Sequence, residues 1–133
     1  MIRRKSQIQP ETKEAIRGGA GKAAATEYVR PGELAGVAFV SLLPLEPGAG
    51  VGQPPPPEAE ELYLVLEGAG TGFLDGEGFP VGPGDAFLCK AGHRHGLQNG
   101  PDSPLTFLAV LSQARLRGAN GARTVGRKRR ARS

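Results

Sequence analysis

Glu61-Leu62-Tyr63-Leu64-Val65-Leu66-Glu67-Gly68 runs into a glycine turn, and Pro83-Gly84-Asp85 opens a second segment that ends on Gly92-His93-Arg94-His95. At the period of two that a strand imposes, the first segment puts Leu62, Leu64 and Leu66 on one face and Glu61, Tyr63 and Val65 on the other. The leucine face calls for cover by a second sheet or a partner subunit, which leaves the mixed face toward a cavity. A glutamate beside a tyrosine on an inward face suits a site.

These two segments resembles the paired motifs of the cupin superfamily in spacing. The first family motif runs Gly, five residues, His-x-His, three or four residues, Glu, six residues, Gly; the second runs Gly, five residues, Pro-x-Gly, two residues, His, three residues, Asn. Glu61 and Gly68 keep the end of the first, and Gly84, Gly92, His95 and Asn99 keep the second. Pro54 and Pro56 stand where the two histidines of the first motif fall, and Lys90 replaces the proline of the second. The resemblance covers about residues 37 to 112. It implies an all-β fold, a double-stranded β-helix or jelly-roll barrel of about eight to ten short strands. In that family a divalent metal usually sits on three histidines and one glutamate. Of that set Glu61 and His95 alone are matched, and proline has no side-chain donor, so no tightly bound metal and no cofactor are expected. His93, two residues before His95, is the alternative third ligand, but spacing alone does not fix both imidazoles on one side.

Composition supports many short strands: 21 Gly and 12 Pro stand against five Phe, two Tyr and no Trp in 133 residues. Cys89 is the only cysteine, so no intramolecular disulfide can form, and a reducing cytoplasm is the expected compartment. No apolar run follows the basic start Met1-Ile2-Arg3-Arg4-Lys5, and no window approaches the roughly 18 apolar residues of a membrane span. The net charge of +4 is unevenly placed, because all 13 acidic residues precede residue 103 while eight basic ones crowd the last 20 positions. The organisation expected is a lead-in over 1–22, a barrel over 23–114 and a basic, disordered tail over 115–133. Such a tail suits an acidic partner or simple solvation; with an acidic barrel behind it, nucleic acid is not the expected partner.

Along the chain, Pro10 to Arg17 reads as one or two helical turns stopped by Gly18-Gly19. Gly21-Lys22 fails as a phosphate loop, since Ile16 takes the first glycine position and Ala23 the Ser/Thr position. Gly68 to Gly72 fails as a dinucleotide fingerprint, because Phe73-Leu74 continues as strand where a helix is required. Strands are expected at 24–29, 37–45, 61–67, 85–89, 94–99 and 105–112, with hairpin or turn signals at Asp75-Gly76 and Pro83-Gly84. The prolines from 54 to 57 belong at a barrel rim or edge. Strand 105–112 carries apolar residues on both faces, the pattern of a strand buried on two sides.

The candidate site therefore comprises His95 and Glu61 as the acid/base pair, with Tyr63, Asn99, His93, Cys89 and Lys90 as ligand-contacting groups. His95 moves a proton near neutral pH, Glu61 acts as its counterpart, and Asn99 offers a donor and an acceptor for a carbonyl. Each has a plain structural reading too: His95 hydrogen-bonded in the interior, Glu61 paired with Lys90 or Arg94, Cys89 an apolar filler. The reading ranked first is a homodimeric, metal-independent enzyme acting on a small metabolite by isomerisation, dehydration or cyclisation. Behind it stand a non-catalytic ligand-binding cupin and one with a weak metal on His95 and Glu61.

Overall fold

The computed structural model describes residues 1–52 and 59–113. Ten strands occur in this part: β1 (Glu11–Glu14), β2 (Lys22–Val29), β3 (Val37–Leu45), β4 (Gly50–Val51), β5 (Glu61–Glu67), β6 (Gly70–Leu74), β7 (Glu77–Val81), β8 (Ala86–Cys89), β9 (His95–Asn99) and β10 (Leu105–Ser112). Two 3-10 turns, Lys5–Gln7 and Ile16–Gly18, are the only helical segments among the described residues. No helix there is long and apolar enough to cross a membrane. Pro54, Pro56 and the basic tail lie outside the described residues.

A six-stranded sheet in the order β1-β2-β3-β10-β5-β8 and a four-stranded sheet in the order β4-β9-β6-β7 make an antiparallel jelly-roll barrel. The turn residues set its corners. Asp75 and Gly76 both have positive φ and close the two-residue β6–β7 hairpin, the geometry that favours Asp-Gly. Pro83 and Gly84 form a turn closed by Asp85 N–H donating to the Gly82 carbonyl at 3.0 Å, with Gly84 in the left-handed region.

The core is filled from both sheets. Leu45, Val65, Leu105 and Phe107 come from the larger one and Leu97 from the smaller, all essentially without solvent contact. On β5, Glu61, Tyr63 and Val65 are buried while Leu62 and Leu64 are half-buried and Leu66 is exposed, so the mixed face points inward as the alternation requires. Strand β10 is a partial correction. Leu105, Phe107 and Ala109 are buried, but Leu108 and Val110 are only half-buried, because no described residues fully cover the outer face of the sheet.

The N-terminal segment also differs from expectation. In place of helical turns over Pro10 to Arg17, Glu11–Glu14 pairs antiparallel with β2 from Glu11↔Ala25 to Glu14↔Lys22, and only Ile16–Gly18 turns. Glu-Thr-Lys-Glu offers no apolar stripe at helical period, whereas β2 presents a row of backbone donors and acceptors for an added strand. Pairing across the sheet overrides a weak local preference.

Candidate functional site

Strand β5 enters between β8 and β10, with Glu61 opposite Cys89 and Leu111 and Tyr63 opposite Phe87 and Ala109. Ala109 and Ala25 are too small to fill the space before the inward face of β5. A cavity of about 190 Å³ remains there, with an apolar wall that includes Ile16, Phe39, Leu43 and Phe107. Glu61 and Tyr63 line one part of it, joined by Arg17; Ser41, Lys13 and Glu27 add the other polar groups. The Tyr63 ring is fixed by edge contacts to Phe107 and Phe87, at centroid distances of 4.9 and 5.5 Å.

Arg17 is the group that sequence reasoning missed. Its Nη1 donates to Glu61 Oε1 at 2.5 Å and to the Tyr63 hydroxyl at 3.3 Å, and its Nη2 donates to Glu61 Oε2 at 3.3 Å. Glu61 is therefore paired with Arg17, whereas Lys90 pairs with Glu60 at 3.1 Å. Burial is the largest single influence and works against the Arg17 charge, but the hydrogen bond to Glu61 and the Coulombic pull of Tyr63, Glu61 and Cys89 together outweigh it, and its pKa lies above the usual arginine value. Arg17 reaches the cavity on a tight loop in which Ala15 (φ 47°) and Arg17 itself (φ 50°) are left-handed. For non-glycine residues this costs about 1–2 kcal/mol each. The loop is tied to the barrel by Gly52 N–H on the Ile16 carbonyl at 3.1 Å and Gly50 N–H on the Ala20 carbonyl at 2.8 Å. Gly19 packs so tightly on Gly50 that a Cβ would lie 2.2 Å from its carbonyl oxygen. The only signal in the sequence was a basic residue followed by Gly18-Gly19, which names a turn and not its destination.

Burial, and then the neighbouring Glu61 carboxylate, push the Tyr63 hydroxyl well above the ordinary tyrosine range, so it keeps its proton. His95, on the facing sheet, sits behind this corner. Its Nε2 is 2.9 Å from Glu61 Oε1 and its ring lies tilted against that of Tyr63 at a centroid distance of 4.4 Å, yet neither ring nitrogen has a hydrogen bond to a described residue. The Nε2 contact is thus an approach out of line with the N–H direction. His95 does not line the cavity that Glu61 and Tyr63 line.

The other candidates fall away from the cavity. Asn99 is buried, but its Nδ2 donates to the carbonyls of Leu45, Glu46 and Ser103 at 3.2, 3.0 and 2.8 Å, so its amide closes loops. His93 is exposed, with Nδ1 2.7 Å from Asp75 Oδ2. Lys90 is exposed on its pairing with Glu60. Cys89 is buried with Sγ 3.2 Å from the His93 carbonyl, and burial raises its thiol pKa, which suits a filler and not a nucleophile. The structure thus brings Glu61, Tyr63 and His95 together and separates Asn99, His93, Cys89 and Lys90 from them.

The donor set does not fit a divalent metal. Among the described residues no three His, Cys, Asp or Glu side chains converge, and His93 turns to Asp75 instead of joining His95. Glu61 already carries a guanidinium on both carboxylate oxygens, so a metal placed there would sit beside a like charge.

This barrel, with its polar corner inside one end of the larger sheet, belongs to the Cupin domain family, whose model matches residues 41–111. The chain is 30% identical over 112 residues to an oxalate-binding protein of Thermotoga maritima, covering 84% of this chain and 93% of that one. Among solved structures it is similar to a predicted oxalate decarboxylase from Thermotoga maritima, with a TM-score of 0.79 and 28% identity over 84% of this chain and 98% of that one. It is also similar to a sugar phosphate isomerase from Silicibacter pomeroyi, with a TM-score of 0.68 and 26% identity over 86% and 76% of the two chains.

Proposed function

We propose that this chain is a metal-independent cupin that binds a small metabolite in the barrel and carries out acid/base chemistry on it, of the isomerisation, dehydration or cyclisation kind. One observation carries the reading: Glu61 and Tyr63 lie together on the wall of an otherwise largely apolar cavity of about 190 Å³. That volume is below the roughly 300–1,000 Å³ of drug-sized sites, so the ligand is compact. Glu61 is the proton acceptor that faces the ligand, and His95 Nε2 lies 2.9 Å behind it. The names of the relatives, oxalate binding and sugar phosphate isomerisation, agree with a small oxygen-rich ligand. In this reading a second copy of the chain covers the outer sheet face and the protein works as a homodimer in the cytoplasm.

A second reading, ligand binding without turnover, is favoured by the position of His95 off the cavity wall. One experiment separates the readings. Chelator-treated protein is screened for conversion of small hydroxy- and keto-metabolites, beside Glu61→Gln. Turnover that survives chelation and is lost in Glu61→Gln supports the enzyme. Binding without turnover selects the second reading, and activity restored only by a divalent ion overturns metal independence.

A further inference from the structure

The Arg17 guanidinium carries five N–H donors. Three are engaged, on the two Glu61 oxygens and the Tyr63 hydroxyl. Two have no partner among the described residues, on a side chain that lines the cavity. The Tyr63 hydroxyl accepts from Arg17 through its oxygen and turns its own proton toward Glu61, so that proton passes to a ligand oxygen once Glu61 is protonated. Two donors of different kinds therefore flank the Glu61 carboxylate at one place on the wall.

The charge balance selects the ligand. Arg17 is matched by Glu61 and Lys13 by Glu27, so a ligand that arrives as an anion meets a carboxylate as near as the guanidinium. A neutral carbonyl compound avoids this. It becomes negative only as Glu61 becomes neutral, and the total charge of the corner stays constant throughout.

We infer that Arg17 and Tyr63 are the substrate-contacting donor pair for the carbonyl oxygen of a small ketone with a removable hydrogen on the adjacent carbon. The inference rests on the acid/base reading above and names its substrate class. In the step, a Glu61 oxygen takes that hydrogen as a proton. The C–H electron pair becomes the C=C bond of an enolate, and the C=O π pair moves onto oxygen, where Arg17 and Tyr63 hold it. Return of the proton from Glu61 to a different carbon, or to the other face of the same carbon, gives the isomer. No oxidant or further reactant is consumed.

The test uses para-nitrophenol, whose ring and hydroxyl copy an enol and whose absorbance reports ionisation, and para-nitrotoluene, which has a similar shape without the oxygen. At a mildly acidic pH where free para-nitrophenol is largely un-ionised, the wild-type protein is expected to bind it and shift its band toward the phenolate. Arg17→Gln should weaken that binding by about tenfold or more and abolish the shift. Tyr63→Phe, which leaves the ion pair in place and so guards against a simple folding defect, should weaken it several-fold. Lys90→Gln should not alter it, and para-nitrotoluene should bind wild type, Tyr63→Phe and folded Arg17→Gln alike. Equal para-nitrophenol binding by wild type, Arg17→Gln and Tyr63→Phe overturns the inference. If para-nitrotoluene alone binds the wild type, the inference falls and the cavity remains a ligand site. If neither probe binds, the proposed function falls with it.

Discussion

His95 Nε2 and Glu61 Oε1 approach to 2.9 Å from opposite walls of the barrel, His95 on the four-stranded sheet and Glu61 on the six-stranded one. Since neither ring nitrogen has a hydrogen bond to a described residue, the imidazole bears a burial cost of about 1–3 kcal/mol for each unsatisfied group. His95→Phe keeps the ring contact with Tyr63 and removes that cost, while its larger ring adds some crowding. Chemical denaturation should therefore place it within about 1 kcal/mol of wild type. A loss well beyond about 2 kcal/mol would mean that the nitrogens are satisfied in solution.

Asn99 behaves oppositely. Asn99→Ala takes from three carbonyls the two N–H groups they share and should destabilise the fold by about 2–4 kcal/mol. Binding of small molecules to the protein that remains folded should be unchanged. A variant of wild-type stability with impaired binding would return Asn99 to the ligand site.

Tyr63 sets an alkaline limit. Its pKa is raised in the folded state, chiefly by burial, so above the ordinary value of about 10 the unfolded chain releases a proton that the folded one retains. The associated stability is complete below that value and declines as pH rises from it toward the raised folded pKa. Urea unfolding at successive alkaline pH values should fall more steeply for wild type than for Tyr63→Phe; parallel curves would contradict the burial of an un-ionised hydroxyl.

The outer face of the larger sheet carries a continuous aliphatic row, because Leu88 faces Leu62, Leu62 faces Val110 and Val110 faces Val40 across neighbouring strands. Leu88 is 58% exposed in the single chain. An apolar row of this kind favours a symmetric partner. Light scattering at micromolar concentration should give twice the chain mass for wild type and the single mass for Leu62→Glu. A wild-type monomer would refute the dimer.

Where chemistry and periodicity coincided, the sequence was readable. The alternation from Glu61 to Leu66 announced which side chains face inward, and Asp-Gly and Pro-Gly named their turns because few other residues accept those dihedral angles. Asn99 shows the limit: it occupies its motif position, but whether an inward amide meets ligand or loop depends on where Leu45, Glu46 and Ser103 arrive, and no local pattern encodes that. His93 belongs to the turn before β9, where alternation has not begun, so two-residue spacing from His95 says nothing of direction. Arg17 lies 44 residues from its partner Glu61, on a loop whose course is fixed by contacts with β4.

The loop that carries Arg17 belongs to neither barrel sheet. The strands decide the size and dryness of the chamber, and a short peptide laid across it decides the electrical character of one corner. A single codon at position 17 can thus exchange a guanidinium for a neutral or acidic group while the strand registers stay as they are. In the proposed reading, ligand preference in this architecture is free to drift faster than the scaffold that houses it.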